Sequence, residues 1–168
     1  MKSKLFISMF TISLIAGKMI FAQKSLDFIL KPYTSKEIPF ITVDSLHSHV
    51  KDFYILDARE LNEFNVSHIK NALFTGYESF SEQNVKEMLP DQEKPIAVYC
   101  SLGVRSFKIA ERLKKMGYQN IYNVYGGIFE WKNRGYEVID NKGKETENVH
   151  AYSRLWGFYL KKGVKVYE

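Results

Sequence analysis

Apolar residues alternate between two patterns along this chain. Short, continuous apolar runs predict buried strands at about 40–42, 53–56, 72–74, 96–99 and 121–124. Between these runs, apolar residues recur every three or four positions, which predicts helices at about 44–50, 81–89, 105–116 and 128–133. Because strands that alternate with helices pair in parallel, the sequence predicts an α/β fold. Its central, mostly parallel sheet has about five strands and is flanked by helices on both faces.

The junction after the run 96–99 carries the clearest chemical signal. Cys100, the only cysteine of the chain, stands in the loop between that strand and the next helix. A helix N-terminus has unpaired N–H groups and the positive end of the dipole, so this position favours negative charge. Gly103 lets the backbone turn its N–H groups inward, and Arg105 adds a fixed cation. We therefore expect an anion-binding loop around a reactive thiolate. The loop consists of Cys100, Ser101, Leu102, Gly103, Val104 and Arg105.

This loop, with Ser106 after it, resembles the active-site loop of the rhodanese-like sulfurtransferases. Two other stretches carry the same resemblance. The first contains Asp57, Arg59, Glu63 and His68; the second contains Gly126, Gly127, Trp131 and Gly135. The three stretches span about residues 45–138 in the right order. The resemblance implies a rhodanese-like fold and a cysteine that accepts a sulfane sulfur as a persulfide. It further implies a small sulfane-sulfur donor such as thiosulfate and a thiol or cyanide acceptor. Because Leu102 and Val104 make the rim of the loop apolar, a protein persulfide is the alternative partner.

The same resemblance implies a role for each of the site residues. Cys100 is the expected nucleophile, and the loop from Ser101 to Arg105 is expected to bind the substrate. Asp57, Arg59 and Ser106 are expected to support the loop.

The residues by themselves leave two interpretations of the first stretch open. In one, Asp57 accepts hydrogen bonds that hold the active loop in shape. In the other, Asp57 caps the turn after its strand, and Arg59 pairs with Glu63 on a short helix. His68 could serve as a general base for Cys100, but the resemblance places it in a structural turn.

Two other functions compete with sulfur transfer. Cysteine phosphatases use a similar loop with five residues between cysteine and arginine, whereas this chain has four. The shorter ring of N–H groups favours one added sulfur atom over a tetrahedral phosphate. In a non-catalytic binding module, the fold would instead present a surface, and Cys100 would be an inert buried residue.

Charge and composition narrow the classes of partner. The chain has 168 residues and a formal net charge of +5, but three lysines lie in a leader without acidic residues. The rest is only slightly basic and has no basic run interleaved with aromatics, so nucleic-acid binding is not expected. A single cysteine cannot form a disulfide within the chain. No cluster has metal-ligand spacing, so neither a metal nor another cofactor is expected.

The N-terminal segment resembles a secretory signal peptide. Lys2 and Lys4 precede an apolar stretch from Leu5 to Ala16, and cleavage is predicted after Ala22. We expect an exported protein, periplasmic or secreted, with no stable membrane insertion after cleavage. The alternative is an uncleaved N-terminal membrane anchor.

The predicted domains are a signal peptide at 1–22, an N-terminal arm at 23–39, a rhodanese-like domain at 40–140 and a C-terminal extension at 141–168. In the extension, five apolar residues fall at helical spacing and predict an aromatic amphipathic helix. They are Tyr152, Leu155, Trp156, Tyr159 and Leu160. We expect this helix to pack on the core or, alternatively, to dock a partner.

Overall fold

A five-stranded, fully parallel sheet is the centre of the fold. The computed structural model describes residues 26–167, and the residues from Tyr33 onward form one compact unit. The strand order is β1-β5-β4-β2-β3. The strands are β1 Phe40–Ile41, β2 Tyr54–Asp57, β3 Leu73–Phe74, β4 Ile96–Tyr99 and β5 Ile121–Val124. The predicted α/β fold with a parallel sheet is therefore confirmed.

Helices occupy the connections between the strands. Residues 26–30, which precede the compact unit, are helical and are called α1. The helices that follow are α2 Val43–Ser48, α3 Leu61–Val66, α4 Glu82–Met88, α5 Val104–Lys115 and α6 Gly127–Asn133. Thr42 and Ser81 cap the first turns of α2 and α4 through their side-chain oxygens. Gly117, with φ +104°, follows the end of α5 as predicted.

The sheet buries side chains on both of its faces. Leu56 and Val98 pack in one apolar cluster with residues of α4 and α5, including Val85 and Ile109. Neighbouring positions in a strand point to the opposite face, so Ile55, Ala97 and Tyr99 face the other side, where they are also buried. This two-sided burial explains why the strands appear in the sequence as continuous apolar runs.

Two small sheets lie C-terminal to the main one. Strands β6 Val138–Ile139 and β7 Glu145–Thr146 pair antiparallel, and strands β8 Asn148–His150 and β9 Val164–Val166 pair in parallel. The second pair brings the end of the chain back beside residues 148–150. The sequence did not predict either pair.

The predicted aromatic helix in the extension is wrong. Only Trp156–Tyr159 are helical, and they form a short 3-10 turn. Tyr152 has a left-handed backbone with φ +62°, which ends any helix at that point. Leu155 is 76% exposed whereas Leu160 is fully buried, so the five residues do not share one buried face. The pairing of β8 with β9 requires the chain to turn back here, and this long-range constraint overrides the local spacing.

The N-terminal expectations concern a different part of the chain. The predicted signal peptide at 1–22 and its cleavage site lie outside the described residues. Within residues 26–167, no helix is both long enough and apolar enough to cross a membrane.

Candidate active site

The carboxyl ends of β2 and β4 bring the predicted site residues to one edge of the sheet. Asp57 and Tyr99 are the last residues of these strands and pair in register. Cys100 follows Tyr99 directly and is 2% exposed. Ligand sites in parallel sheets gather at this edge. The pairing of β2 with β4 places the backbone of Asp57 beside Tyr99, one residue before Cys100.

The loop after β4 presents N–H groups for an anion. The backbone N–H of Gly103 donates to Cys100 Sγ at 3.1 Å. Gly103 has φ +133°, a conformation that disfavours other residues, and it precedes the first turn of α5. Within the described residues, no acceptor is found for the backbone N–H groups of Leu102, Val104 and Arg105. These donors at the start of a 12-residue helix remain for a ligand.

Two carbonyl groups of the loop accept hydrogen bonds from α6. Cys100 O accepts from the N–H of Ile128 at 2.9 Å, and Ser101 O accepts from the N–H of Phe129 at 3.3 Å. Both donors belong to the first turn of α6, which approaches very closely. A Cβ at Gly127 would lie 2.2 Å from Cys100 O, so this close approach requires glycine.

Asn123 of β5 fixes the loop from behind. Its amide nitrogen donates to Gly103 O at 2.8 Å and to Tyr33 O at 3.0 Å. Its amide oxygen accepts from Ser106 Oγ at 2.7 Å, and that hydroxyl also lies 3.5 Å from Cys100 Sγ. Both N–H groups of the side-chain amide are used in these two bonds. The amide oxygen therefore accepts the hydrogen bond that Ser106 Oγ donates. Sequence reasoning missed this role, although a polar residue in an otherwise apolar run was a usable signal.

Glu63 binds the arginine of the loop. Arg105 donates from Nη1 to Glu63 Oε2 at 2.6 Å and from Nη2 to Glu63 Oε1 at 2.9 Å. Arg105 Nη2 and Glu63 Oε1 both also contact Ser101 Oγ. Burial raises the pKa of Glu63, but the hydrogen bond and charge of Arg105 outweigh it, so the pKa lies below its usual range. Burial lowers the pKa of Arg105, and Glu63 together with Cys100 raises it overall.

A second buried ion pair stands beside the first. Arg59 donates to both carboxylate oxygens of Asp57, with the shortest distance 2.6 Å, and to Ser67 O. Arg59 and Asp57 are both fully buried. The interpretation in which Arg59 pairs with Glu63 is therefore wrong, because Glu63 is held by Arg105. The Asp57 carboxylate also accepts from the backbone N–H of Arg59, which agrees with a capping role.

Of His68 and His150, only His150 lies beside Glu63 of the site. His68 stacks on Phe64 at 3.8 Å and contacts Phe64 O through Nδ1, which agrees with a structural turn. His150 Nδ1 instead lies 3.8 Å from Glu63 Oε1. Burial lowers the pKa of His150 further than the charge of Glu63 raises it. No local sequence pattern pointed to this residue.

A small cavity of about 110 Å³ opens over Cys100. Its walls come partly from the active loop and partly from the C-terminal extension. They are formed by Cys100, Ser101, Leu102, Val104, Arg105, Tyr152 and Trp156. The Tyr152 ring covers the Arg105 guanidinium, with 4.8 Å between the ring centroid and Cζ.

Comparisons with known proteins agree with this architecture. A thiosulfate sulfurtransferase GlpE of Coxiella burnetii is 34% identical over 82 residues, which cover 49% of this chain and 74% of that protein. A tRNA uridine(34) hydroxylase of Photorhabdus laumondii is 36% identical over 89 residues, but the match spans only 25% of its length. A rhodanese-related protein of Thermoplasma volcanium has a crystal structure with a TM-score of 0.52 and 30% identity, covering 60% of this chain and 97% of that one.

A match to the sequence pattern of a protein family identifies the family of this chain. Residues 42–134 match the rhodanese-like domain. This range contains the sheet from β2 to β5, the loop at Cys100 and the first turn of α6. The chain belongs to the rhodanese-like domain family.

Proposed function

We propose that this protein is a sulfurtransferase that carries a sulfane sulfur as a persulfide on Cys100. The observation that carries the proposal is the loop of inward N–H groups. Gly103 donates to Sγ, three neighbouring N–H groups have no acceptor within residues 26–167, and the carbonyls of Cys100 and Ser101 are bonded to α6. Such a loop stabilises an anionic sulfur and one more sulfur atom attached to it. The similarity to the thiosulfate sulfurtransferase GlpE supports the same reaction.

The first half of the reaction loads the cysteine. The Cys100 thiolate attacks the outer sulfur of a donor such as thiosulfate and forms a new S–S bond. The S–S bond of the donor breaks, and sulfite leaves with its electron pair. The N–H groups of the loop hold the outer sulfur during this displacement.

The second half passes the sulfur on. An acceptor thiolate attacks the outer sulfur of the persulfide, takes it as its own persulfide, and releases the Cys100 thiolate. Cyanide would take the same sulfur as thiocyanate. In neither half does the balance of electrons require an oxidant, a metal or another cofactor.

The supporting residues act through the shape of the loop. Ser106 is tied to Asn123, which also binds Gly103 O, so this pair sets the path of the backbone around the sulfur. Asp57 and Arg59 form a buried pair at the end of β2 and hold the turn beside the loop. We assign all three predicted supporting residues to positioning, because none of them needs to touch the transferred sulfur.

Intact-mass measurement after incubation with sulfane donors tests the proposal. Because Cys100 is the only cysteine, a gain of one sulfur atom locates the persulfide without mapping. We expect this gain in the wild type, its loss on addition of a thiol or cyanide, and no gain in Cys100→Ser. If no sulfane donor adds sulfur, the binding-module function gains support instead. Hydrolysis of an aryl phosphate that depends on Cys100 would favour the phosphatase.

We also propose export through the N-terminal segment. The support is the pattern of lysines, an apolar stretch and a small residue at Ala22. Expression of the full chain followed by N-terminal sequencing tests it. Gln23 as the first residue of the processed protein supports export, and retention of Met1 with membrane association supports an anchor.

A further inference from the structure

The cavity over Cys100 is built partly from residues outside the family match. The rhodanese-like match ends at residue 134, whereas Tyr152 and Trp156 form one wall of the cavity. Leu102 and Val104 of the active loop line the same cavity. The surface that a substrate meets beside the sulfur is therefore mainly apolar.

The cation of the loop is already neutralised. Arg105 makes two hydrogen bonds to Glu63, whose side chain is only 2% exposed, and a third to Ser101. The Tyr152 ring lies over the guanidinium plane. An ion pair of this kind presents almost no net charge to a ligand, so it attracts a dianion far less than a free arginine does.

Among the described residues that line the cavity, Arg105 is the only cationic side chain. Arg59 is fully buried and paired with Asp57. His150 lies near Glu63, but its Nδ1 accepts a hydrogen bond from the backbone N–H of Tyr152 at 3.2 Å, which requires that nitrogen to be unprotonated. The ionisable groups around the cavity are thus balanced before any substrate arrives.

We propose that this cavity selects sulfane donors that carry a single charge and a compact apolar group, such as organic thiosulfonates, over the thiosulfate dianion. This inference rests on the sulfurtransferase function proposed above. The loop N–H groups bind the anionic end of the donor, and Tyr152 and Trp156 cover the apolar group. An enclosed cavity that holds benzene has roughly 150 Å³, so this open cavity of about 110 Å³ can cover part of a phenyl ring and leave the rest in solvent.

The chemical step remains balanced with such a donor. The Cys100 thiolate attacks the outer sulfur of R–SO₂–S⁻ and forms an S–S bond to it. The S–S bond of the donor breaks, and the sulfinate R–SO₂⁻ leaves with the electron pair. The cavity wall contributes only by binding the group R.

Donor competition in steady-state kinetics tests the proposal. Benzenethiosulfonate and methanethiosulfonate have the same charge and differ in the apolar group, and thiosulfate provides the dianion. With the purified full chain and one thiol acceptor, we expect kcat/KM to be at least about tenfold higher for benzenethiosulfonate than for methanethiosulfonate. Thiosulfate is expected to be the poorest of the three. Equal values for the two thiosulfonates, or a preference for thiosulfate, would overturn the proposal.

Trp156→Ala locates the effect at the wall. The variant should reduce the preference for the benzene compound to less than about threefold, because kcat/KM for benzenethiosulfonate falls more than kcat/KM for methanethiosulfonate. Phe158→Ala is the matched control, because Phe158 belongs to the same 3-10 turn, is 57% exposed and does not line the cavity. Trp156→Leu, which keeps an apolar side chain, should retain part of the preference if the alanine variant folds poorly. An unchanged preference in both Trp156 variants would contradict the proposal.

A binding measurement separates this inference from the function on which it rests. Calorimetry with Cys100→Ser and two unreactive anions, benzenesulfonate and methanesulfonate, needs no turnover. Tighter binding of benzenesulfonate supports the cavity proposal even if no donor loads Cys100, in which case the sulfurtransferase function fails alone. Equal binding of the two anions, with persulfide formation intact, overturns the cavity proposal and leaves the sulfurtransferase function standing.

Discussion

The loop at Cys100 and the C-terminal extension both border the same cavity, but they reach it in different ways. The loop is fixed by neighbours that are close in the fold and regular in kind: the end of a strand, the start of α5 and the first turn of α6. The extension reaches the cavity because β8 and β9 pair across 13 intervening residues. It places a half-exposed Tyr152 in a left-handed backbone beside the reactive sulfur.

This difference suggests a division of labour between chemistry and selectivity. In the proposed reaction, the N–H groups of the loop act on any sulfane sulfur, whatever group it is attached to. Tyr152 and Trp156 contact only the part of a donor that lies outside the loop. Changes in the loop should therefore affect stability and all donors together, and changes in the extension should affect the choice of donor.

Gly127→Ala should have the largest effect on the loop. The new Cβ would lie 2.2 Å from Cys100 O and 2.8 Å from Ser101 O, at a φ of +54°. Because backbone atoms cannot move away at low energetic cost, we expect a loss of about 3 kcal/mol in the free energy of unfolding. We also expect loss of turnover with every donor. Urea denaturation and a donor assay measure these two effects.

Gly143→Ala is the control for that change. Gly143 also has a positive φ, +76°, but a Cβ there meets no atom within 4 Å. It should cost about 1 kcal/mol and leave turnover unchanged. Similar losses in the two alanine variants would show that backbone strain, and not the approach of α6 to the loop, explains the result.

Glu63→Gln should test the charge balance of the cavity. The amide keeps hydrogen-bonding atoms but leaves the buried Arg105 without its counter-charge, so we expect a loss of about 2 to 3 kcal/mol in stability. The uncompensated guanidinium should also lower the KM for thiosulfate several-fold, with a smaller change for a singly charged donor. Kinetics with both donors measure this difference.

An exposed ion pair provides the comparison for Glu63. Glu111 pairs with Lys108 on the surface of α5. Glu111→Gln should change stability by less than about 0.5 kcal/mol and leave both KM values unchanged. A KM for thiosulfate that rises in Glu63→Gln would argue that the Arg105–Glu63 pair itself binds the dianion.

Asn123→Ala should loosen the loop from behind. It removes the partner of Gly103 O and of Ser106 Oγ inside the core, which should cost about 2 kcal/mol of stability. Turnover should fall about tenfold for all donors alike, because the N–H groups lose their fixed positions. Asn120→Ala is the control, since the exposed side chain of Asn120 donates to Glu93 O, away from the loop at Cys100. A donor-specific loss in Asn123→Ala would contradict its role in holding the backbone.

Protonation of His150 at low pH should lower the stability of the folded protein. We expect this to be the smallest of the predicted effects. Burial lowers the pKa of His150 below its ordinary value of 6.5, so the unfolded chain binds this proton more readily than the folded one. Stability is therefore lost as the pH falls below about 6.5 towards the folded pKa. Glu63, whose pKa is also lowered, adds a loss only below about 4.5.

Urea denaturation between pH 7.5 and 5 measures this dependence. His150→Gln should flatten the curve in that range, and His49→Gln, an exposed residue at the end of α2, should not. A curve that keeps its full slope without His150 would assign the loss of stability to another group.

The sequence predicted the loop much better than the extension. The run 96–99, Cys100, Gly103 and the helix after it are consecutive, so local pattern and chemistry agree there. The pairing of Glu63 with Arg105 joins residues 42 positions apart, and the spacing offered Arg59 as an equally reasonable partner. The extension has helical spacing but forms no α-helix, because the backbone of Tyr152 is left-handed. The return of the chain to β9 depends on contacts between residues distant in sequence, which a local pattern does not show.

Amide NMR of the loaded protein tests the central claim most directly. The ¹⁵N–¹H spectrum would be recorded before and after sulfur loading, with intact mass measured on the same sample. We predict a gain of one sulfur atom, with the largest shifts at Gly103 and at the N–H groups of Leu102, Val104 and Arg105. A gain of sulfur that leaves these resonances unchanged, or no gain with any sulfane donor, would contradict the account.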